Sequence, residues 1–192
     1  MLNSRLLAWL PWLPWTALAI VAAAYYPRFI KPPDVGVWLY SQAANCLLNH
    51  QILKVCSEYF TYPPAFAFVF IPFSMLPLWL CLLVWYVVTI AASVAAYKCA
   101  DVVASRLFPE PFSAYELALV RVLNIVLTAK FVLAVLENQA YEALPLFLIT
   151  LGLAALSARH ELAGGAAIGL AAAIKATPLI FLPYLLVKRR FA

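Results

Sequence analysis

Residues 62–97 read YPPAFAFVFIPFSMLPLWLCLLVWYVVTIAASVAAY and contain no charged side chain. One bilayer crossing takes roughly 20 mostly apolar residues, so this run is long enough to enter and cross a membrane. Pro72 and Pro77 interrupt it and divide it into two segments, about 62–76 and 79–97. The alternating pattern of barrel strands is absent. The spans must therefore be helices, which satisfy their own backbone polar groups inside lipid.

The rest of the chain extends this pattern. It is 192 residues long, 67% hydrophobic and 11% charged, about half the charge of an ordinary soluble domain. Residues 6–26 form a first apolar run with Pro11 and Pro14 inside it and no small-x-small cleavage site at its end. We read it as a retained helix, not a signal peptide. Further spans are expected at 115–136, 140–158 and 161–187, the last Gly-rich and broken near Lys175 and Pro178. The expected fold class is an all-α polytopic membrane protein of about six hydrophobic segments. The net charge of +5 is scattered over span ends, which argues against a nucleic-acid partner.

Residues 27–61 hold the longest polar stretch. Within it Leu39, Ala43, Cys46 and Leu47 recur at helical spacing, opposite a stripe of Gln42, Asn45 and Asn49. That pattern suits a helix lying in the membrane interface. The cysteines and histidines show no metal-ligand spacing, so no metal is expected. Cys46 and Cys56 share this loop and can pair if it is extracytoplasmic, whereas Cys81 and Cys99 belong to apolar runs.

The basic residues bear on orientation. If every segment crosses once, Arg28, Lys31, Lys54, Lys98, Arg106 and Arg159 share one side against Arg5 and Lys188-Arg189-Arg190, which violates the positive-inside rule. One net crossing by 62–97 and a return at Lys175-x-x-Pro178 reverse the balance and bring Asp34, Gln139 and Lys175 towards one face. Either way Asp34 lies outside.

Charges near the bilayer centre cost on the order of 2.5–3.5 kcal/mol each, which makes them candidates for function. Arg121 shares a helix face with Asn124 and Thr128, facing either an anion in a polar cavity or an ion-pair partner, Glu116 or a residue of another helix. Lys130 is near enough to a helix end to snorkel. Lys175 stands at a helix break before Pro178, where a cation suits a phosphate headgroup, or it is a plain helix-end lysine. Asp34 follows Pro32-Pro33 and opens the interfacial helix. It reads equally as an N-cap or as a general base towards a hydroxyl.

Three stretches then fall in a recognisable order: PPDVGVWLYSQAANCLL (32–48), FTYPPAFAFVFIPFSMLPLW (60–79) and VLENQAYEALPLFLITLGLAALSARHELAGGAAIGLAAAIKATPLIFLPYLLVKRR (135–190). Together they resemble the N-terminal part of glycosyltransferase family 87, multispan enzymes of the GT-C class. Asp34, Tyr40 and Ala43-Ala44 match the family's first outer loop, Tyr62-Pro63-Pro64 its next span, and Lys175 with Pro178 its Lys-x-x-Pro. At the family's Gly-Gln-x-Asn corner this chain has Asn138-Gln139-Ala140-Tyr141, so only the Gln matches.

The resemblance implies a GT-C-like helical bundle in the inner (plasma) membrane. It implies transfer of a sugar, typically mannose, from a polyprenyl phosphate carrier to a glycan or glycolipid acceptor, with inversion and with no metal or cofactor. Asp34 would be the base. Lys175 and Arg121 would steady the leaving phosphate, and Tyr40, Tyr62 and Gln139 would line the site. Bland alternatives are an interfacial belt aromatic for Tyr62 and a helix-end polar residue for Gln139. Family members are longer, so the chain is expected to be an N-terminal portion, with a second chain as one possible source of further spans. A transporter or flippase for an anionic lipid-linked substrate, and a non-catalytic partner subunit, are the competing classes.

Overall fold

The computed structural model describes residues 13–30, 36–108 and 113–187. Arg5, Asp34, the Pro109-Glu110-Pro111 break and Lys188-Arg189-Arg190 lie outside the described residues. Within them every regular element is helical and no strand occurs. In order these are α1 (Leu13–Phe29), α2 (Val37–Leu48), α3 (Leu53–Cys56), α4 (Pro64–Ser74), α5 (Leu78–Leu107), α6 (Ala114–Glu137), α7 (Ala143–Ser157), α8 (Glu161–Ile174), a 3-10 turn (Thr177–Ile180) and α9 (Phe181–Val187).

Prolines and caps set the boundaries. Pro64 starts α4 at a position where a missing N–H costs nothing, and Pro77 precedes α5 in the same way. α4 has only 11 residues, about 16 Å of helix, short of a bilayer's roughly 30 Å. α5 has 30 residues and runs well past position 97, through Lys98, Asp101 and Arg106. From the sequence, residues 98–114 read as a connector, because Lys98, Asp101 and Arg106 and the Pro109-Glu110-Pro111 break interrupt the apolar run. Lysine and arginine are good helix formers, however, and no proline or glycine stands between Leu78 and Leu107 to stop the helix. A capping box starts α6: Ser113 Oγ accepts from the Glu116 N–H at 3.2 Å, and Glu116 Oε2 accepts from the Ser113 N–H at 2.8 Å.

Among the described residues two helices, Leu78–Leu107 and Tyr115–Glu137, are long and apolar enough to cross a membrane. α6 leaves Leu127 73% and Phe131 70% exposed, a face that lipid covers at no cost. The chain is an all-helical membrane protein.

α5 packs on α7, and α7 on α8. Arg106 Nη1 donates to the Ala154 carbonyl and to Ser157 Oγ, both at 2.7 Å, tying the end of α5 to the end of α7. Between α7 and α8 the backbones meet at glycines. A Cβ on Gly164 would stand 2.6 Å from Leu156 Cγ and 3.0 Å from the Gly152 carbonyl oxygen, the small-residue contact typical of membrane helices. In the polar loop α2 buries Leu39, Ala43 and Cys46 and leaves Asn45 and Asn49 exposed. Cys46 and Cys56 form a disulfide across α2 and α3.

Gly164→Ala should cost about 1–3 kcal/mol, whereas Gly169→Ala, with nothing within 4 Å, should be neutral or stabilising by up to about 1 kcal/mol. Thermal unfolding of both variants in one detergent checks the contrast. A maleimide mass tag should label Cys46 and Cys56 only after reduction, and labelling without reductant would refute the pairing.

Candidate functional site

The corner between α6 and α7 organises the site. α6 closes with a Schellman motif: the Gln139 N–H reaches the Leu136 carbonyl at 3.1 Å and the Ala140 N–H reaches the Val135 carbonyl at 2.8 Å. This puts Gln139 in the left-handed region, φ 52°, where glycine is usual and another residue is strained. The strain aims a buried amide at two other helix ends. Gln139 Nε2 donates to the Phe29 carbonyl at the end of α1, at 2.7 Å. Its Oε1 accepts from the Val37 N–H at the start of α2, at 3.2 Å. Helix ends leave such groups without intrahelical partners, so one side chain serves both. The Gln139 carbonyl accepts from Trp85 Nε1 on α5 at 3.1 Å.

Gly36, which precedes α2, allows this approach. Its φ is 71°, and a Cβ there would stand 2.6 Å from Gln139 Cβ and 2.8 Å from the Asn138 carbonyl oxygen. Gln139 therefore fastens the chain on both sides of residues 31–35 (the stretch that contains Asp34), with its amide committed to backbone.

Tyr40 is the hub of an aromatic cluster. Its ring meets Phe66 at 4.9 Å, Phe70 at 5.4 Å, Tyr62 at 5.8 Å, and Trp85 and Tyr141 at 6.0 Å, all edge-on. Burial pushes the Tyr40 phenol far above its ordinary range, and Tyr62 and the Glu142 charge push it further. The Tyr141 phenol is pushed up to about 12, first by burial and then by Glu142. Both phenols are therefore neutral at physiological pH.

Beside this cluster opens a cavity of about 780 Å³. Tyr40, Tyr62, Asn138 and Glu142 stand along one part of its wall. Val132, Val135 and Leu146 make apolar wall, and Tyr97, Asn124 and Thr128 form a second polar group. Tyr97 and Thr128 hydrogen-bond to each other.

Lys175 reaches this wall from the break after α8, where its backbone is extended. Its Nζ lies 3.2 Å from Glu142 Oε1 and 5.6 Å from the centre of the Tyr141 ring. Arg121 does not line the cavity; its Nε donates to Asp101 Oδ2 on α5 at 3.0 Å. That is an interhelical ion pair, while Glu116 serves the cap of α6. Tyr40 and Tyr62 thus line the cavity, Lys175 joins it through Glu142, Gln139 holds the neighbouring backbone, and Arg121 stands apart. Glu142 was missed from sequence. It lies 33 residues from its lysine, and no local spacing links them. No group of three or more metal-ligating residues occurs among the described residues.

Residues 60–192 match the model of glycosyltransferase family 87. The match takes in Tyr62, Arg121, Gln139 and Lys175, and begins after Asp34 and Tyr40. No curated protein and no solved structure matches the chain.

Gln139→Ala should leave the Val37 N–H and the Phe29 carbonyl without their partners, at about 1–3 kcal/mol for each buried group. Hydrogen exchange at the Val37 amide should accelerate in this variant and also in Gln139→Gly, which relieves the φ strain yet loses both bonds. Unchanged exchange would show that the amide does not hold α2.

Proposed function

The chain belongs to glycosyltransferase family 87, and on that basis we propose that it transfers a hexose from a polyprenyl phosphate to an acceptor hydroxyl at the outer face of the membrane. Mannose is the sugar that the resemblance favours, and a glycan or glycolipid the acceptor. The family match over residues 60–192 carries the transferase class. The cavity supports an amphipathic donor, since polar groups at Tyr62 and Glu142 adjoin apolar wall suited to an isoprenoid tail.

In this mechanism the Asp34 carboxylate takes the proton of the acceptor hydroxyl. The acceptor oxygen bonds to the anomeric carbon as the bond from that carbon to the phosphate oxygen breaks, and the electron pair leaves on the lipid phosphate. One displacement inverts the anomeric centre. Lys175 stabilises the departing anion, as a fixed cation in a partly dry site can. Tyr40 and Tyr62 shape the sugar's place. Gln139 acts through the backbone it holds, and Arg121 through its pairing with Asp101.

The GT-C type, the inner-membrane location and the outward-facing loop belong to the same proposal. The Cys46–Cys56 disulfide supports that orientation, because such bonds persist in oxidising compartments.

Asp34→Asn should lower transfer from a polyprenyl-phosphate hexose by about 10²–10⁴-fold, the range for a lost general base, at unchanged protein level in the membrane. Lys175→Gln should lower kcat as well. Full-rate transfer by a verified Asp34→Asn variant would remove the base from the mechanism. Movement of the lipid-linked sugar across vesicles without a new glycosidic bond would favour transport instead.

A further inference from the structure

Glu142 is the charged residue on the cavity wall that the mechanism above leaves without a task. It stands at the N-cap of α7, yet its side chain caps nothing. Oε1 takes the Lys175 ammonium at 3.2 Å. Oε2 is fully covered and no described residue donates to it. A covered carboxylate oxygen without a donor is costly, and such an atom in a native fold calls for a partner.

The surroundings narrow the choice of partner. An ionised phosphate has no proton to donate to Oε2, whatever it gains from the Lys175 ammonium nearby. A second cation is disfavoured because Lys175 already balances the charge, and no further carboxylate or histidine completes a metal site among the described residues. A neutral O–H donor meets neither objection. The Glu142 charge is also felt by the phenols of Tyr40 and Tyr141, and the half-buried Tyr62 shares the cavity wall with it, so the carboxylate stands at the edge of the aromatic cluster.

We propose that Glu142 is a substrate-binding residue: a small rotation of its partly exposed side chain uncovers Oε2, which accepts a hydrogen bond from one ring hydroxyl of the sugar, while Lys175 stays paired with the other oxygen. The identity of the ligand as a sugar rests on the transferase assignment above; the need of Oε2 for a hydroxyl donor does not.

The test uses the protein in its native membrane or in nanodiscs, with a short-chain polyprenyl-phosphate hexose and its monodeoxy analogues as probes. Equilibrium binding and transfer are read separately. In the unaltered protein one monodeoxy donor should bind about 10- to 100-fold more weakly than its parent, as for a hydrogen bond to a charged group. In Glu142→Ala the parent should weaken by a similar factor and that penalty should vanish. Glu142→Asp, which keeps the charge but withdraws it by one methylene, should give an intermediate loss in KM with kcat nearly kept.

Equal penalties in both proteins would overturn the assignment. So would unchanged binding in Glu142→Ala, which would leave Oε2 to water. A collapse of kcat with loss of the acid limb of the pH profile would make Glu142 the base and displace Asp34. Glu142-dependent binding of the probe with no transfer at all would refute the transferase assignment while leaving the hydroxyl site standing.

Discussion

The site depends on one buried amide. Gln139 ends α6 in a conformation that glycine adopts freely and glutamine does not. The strain is offset by two hydrogen bonds to main-chain groups that would otherwise stay unpaired, plus a third from Trp85 to its carbonyl. Three helices that share no local sequence are thereby fixed at one point, with Gly36 cleared of a side chain so that they can meet. Remove the amide and α1 and α2 lose their common anchor, while the bond from Trp85 to the main-chain carbonyl stays.

Around that anchor the chemistry divides cleanly. Aromatic rings pack edge-on about Tyr40 and give the corner a rigid, water-poor body. The charged groups stand at its margin, with Lys175 and Glu142 neutralising each other beside the cavity. Arg121 and Asp101 do the same farther along α5 and α6, where they hold two helices together.

Much of the architecture was legible in the residues. Uncharged runs, prolines and the Gly-rich stretch mark the helices because lipid leaves the backbone so few options. The α5 extension was not legible, since a charged stretch looks like a loop when hydropathy is the guide and like helix when breakers are the guide. Gln139 was singled out for its polarity, but sequence could not tell that its amide would turn to backbone 102 and 110 residues away. Arg121 was left between anion and ion pair, and only the placement of Asp101 beside it on the neighbouring helix chooses. Glu142 drew no attention because an acid at a helix start is ordinary, and its lysine is distant in the chain. Asp34 falls outside the described residues, so its part rests on the family resemblance and on chemistry.

The long reach of Gln139 also has a temporal side. A ribosome delivers the ends of α1 and α2 about a hundred residues before the glutamine that fastens them, and contacts so remote in sequence form late. The 46–56 bond, by contrast, needs nothing beyond its own short ring. During biogenesis the outer part of this loop can be finished early while its root waits, unfastened, for the corner after α6 to emerge.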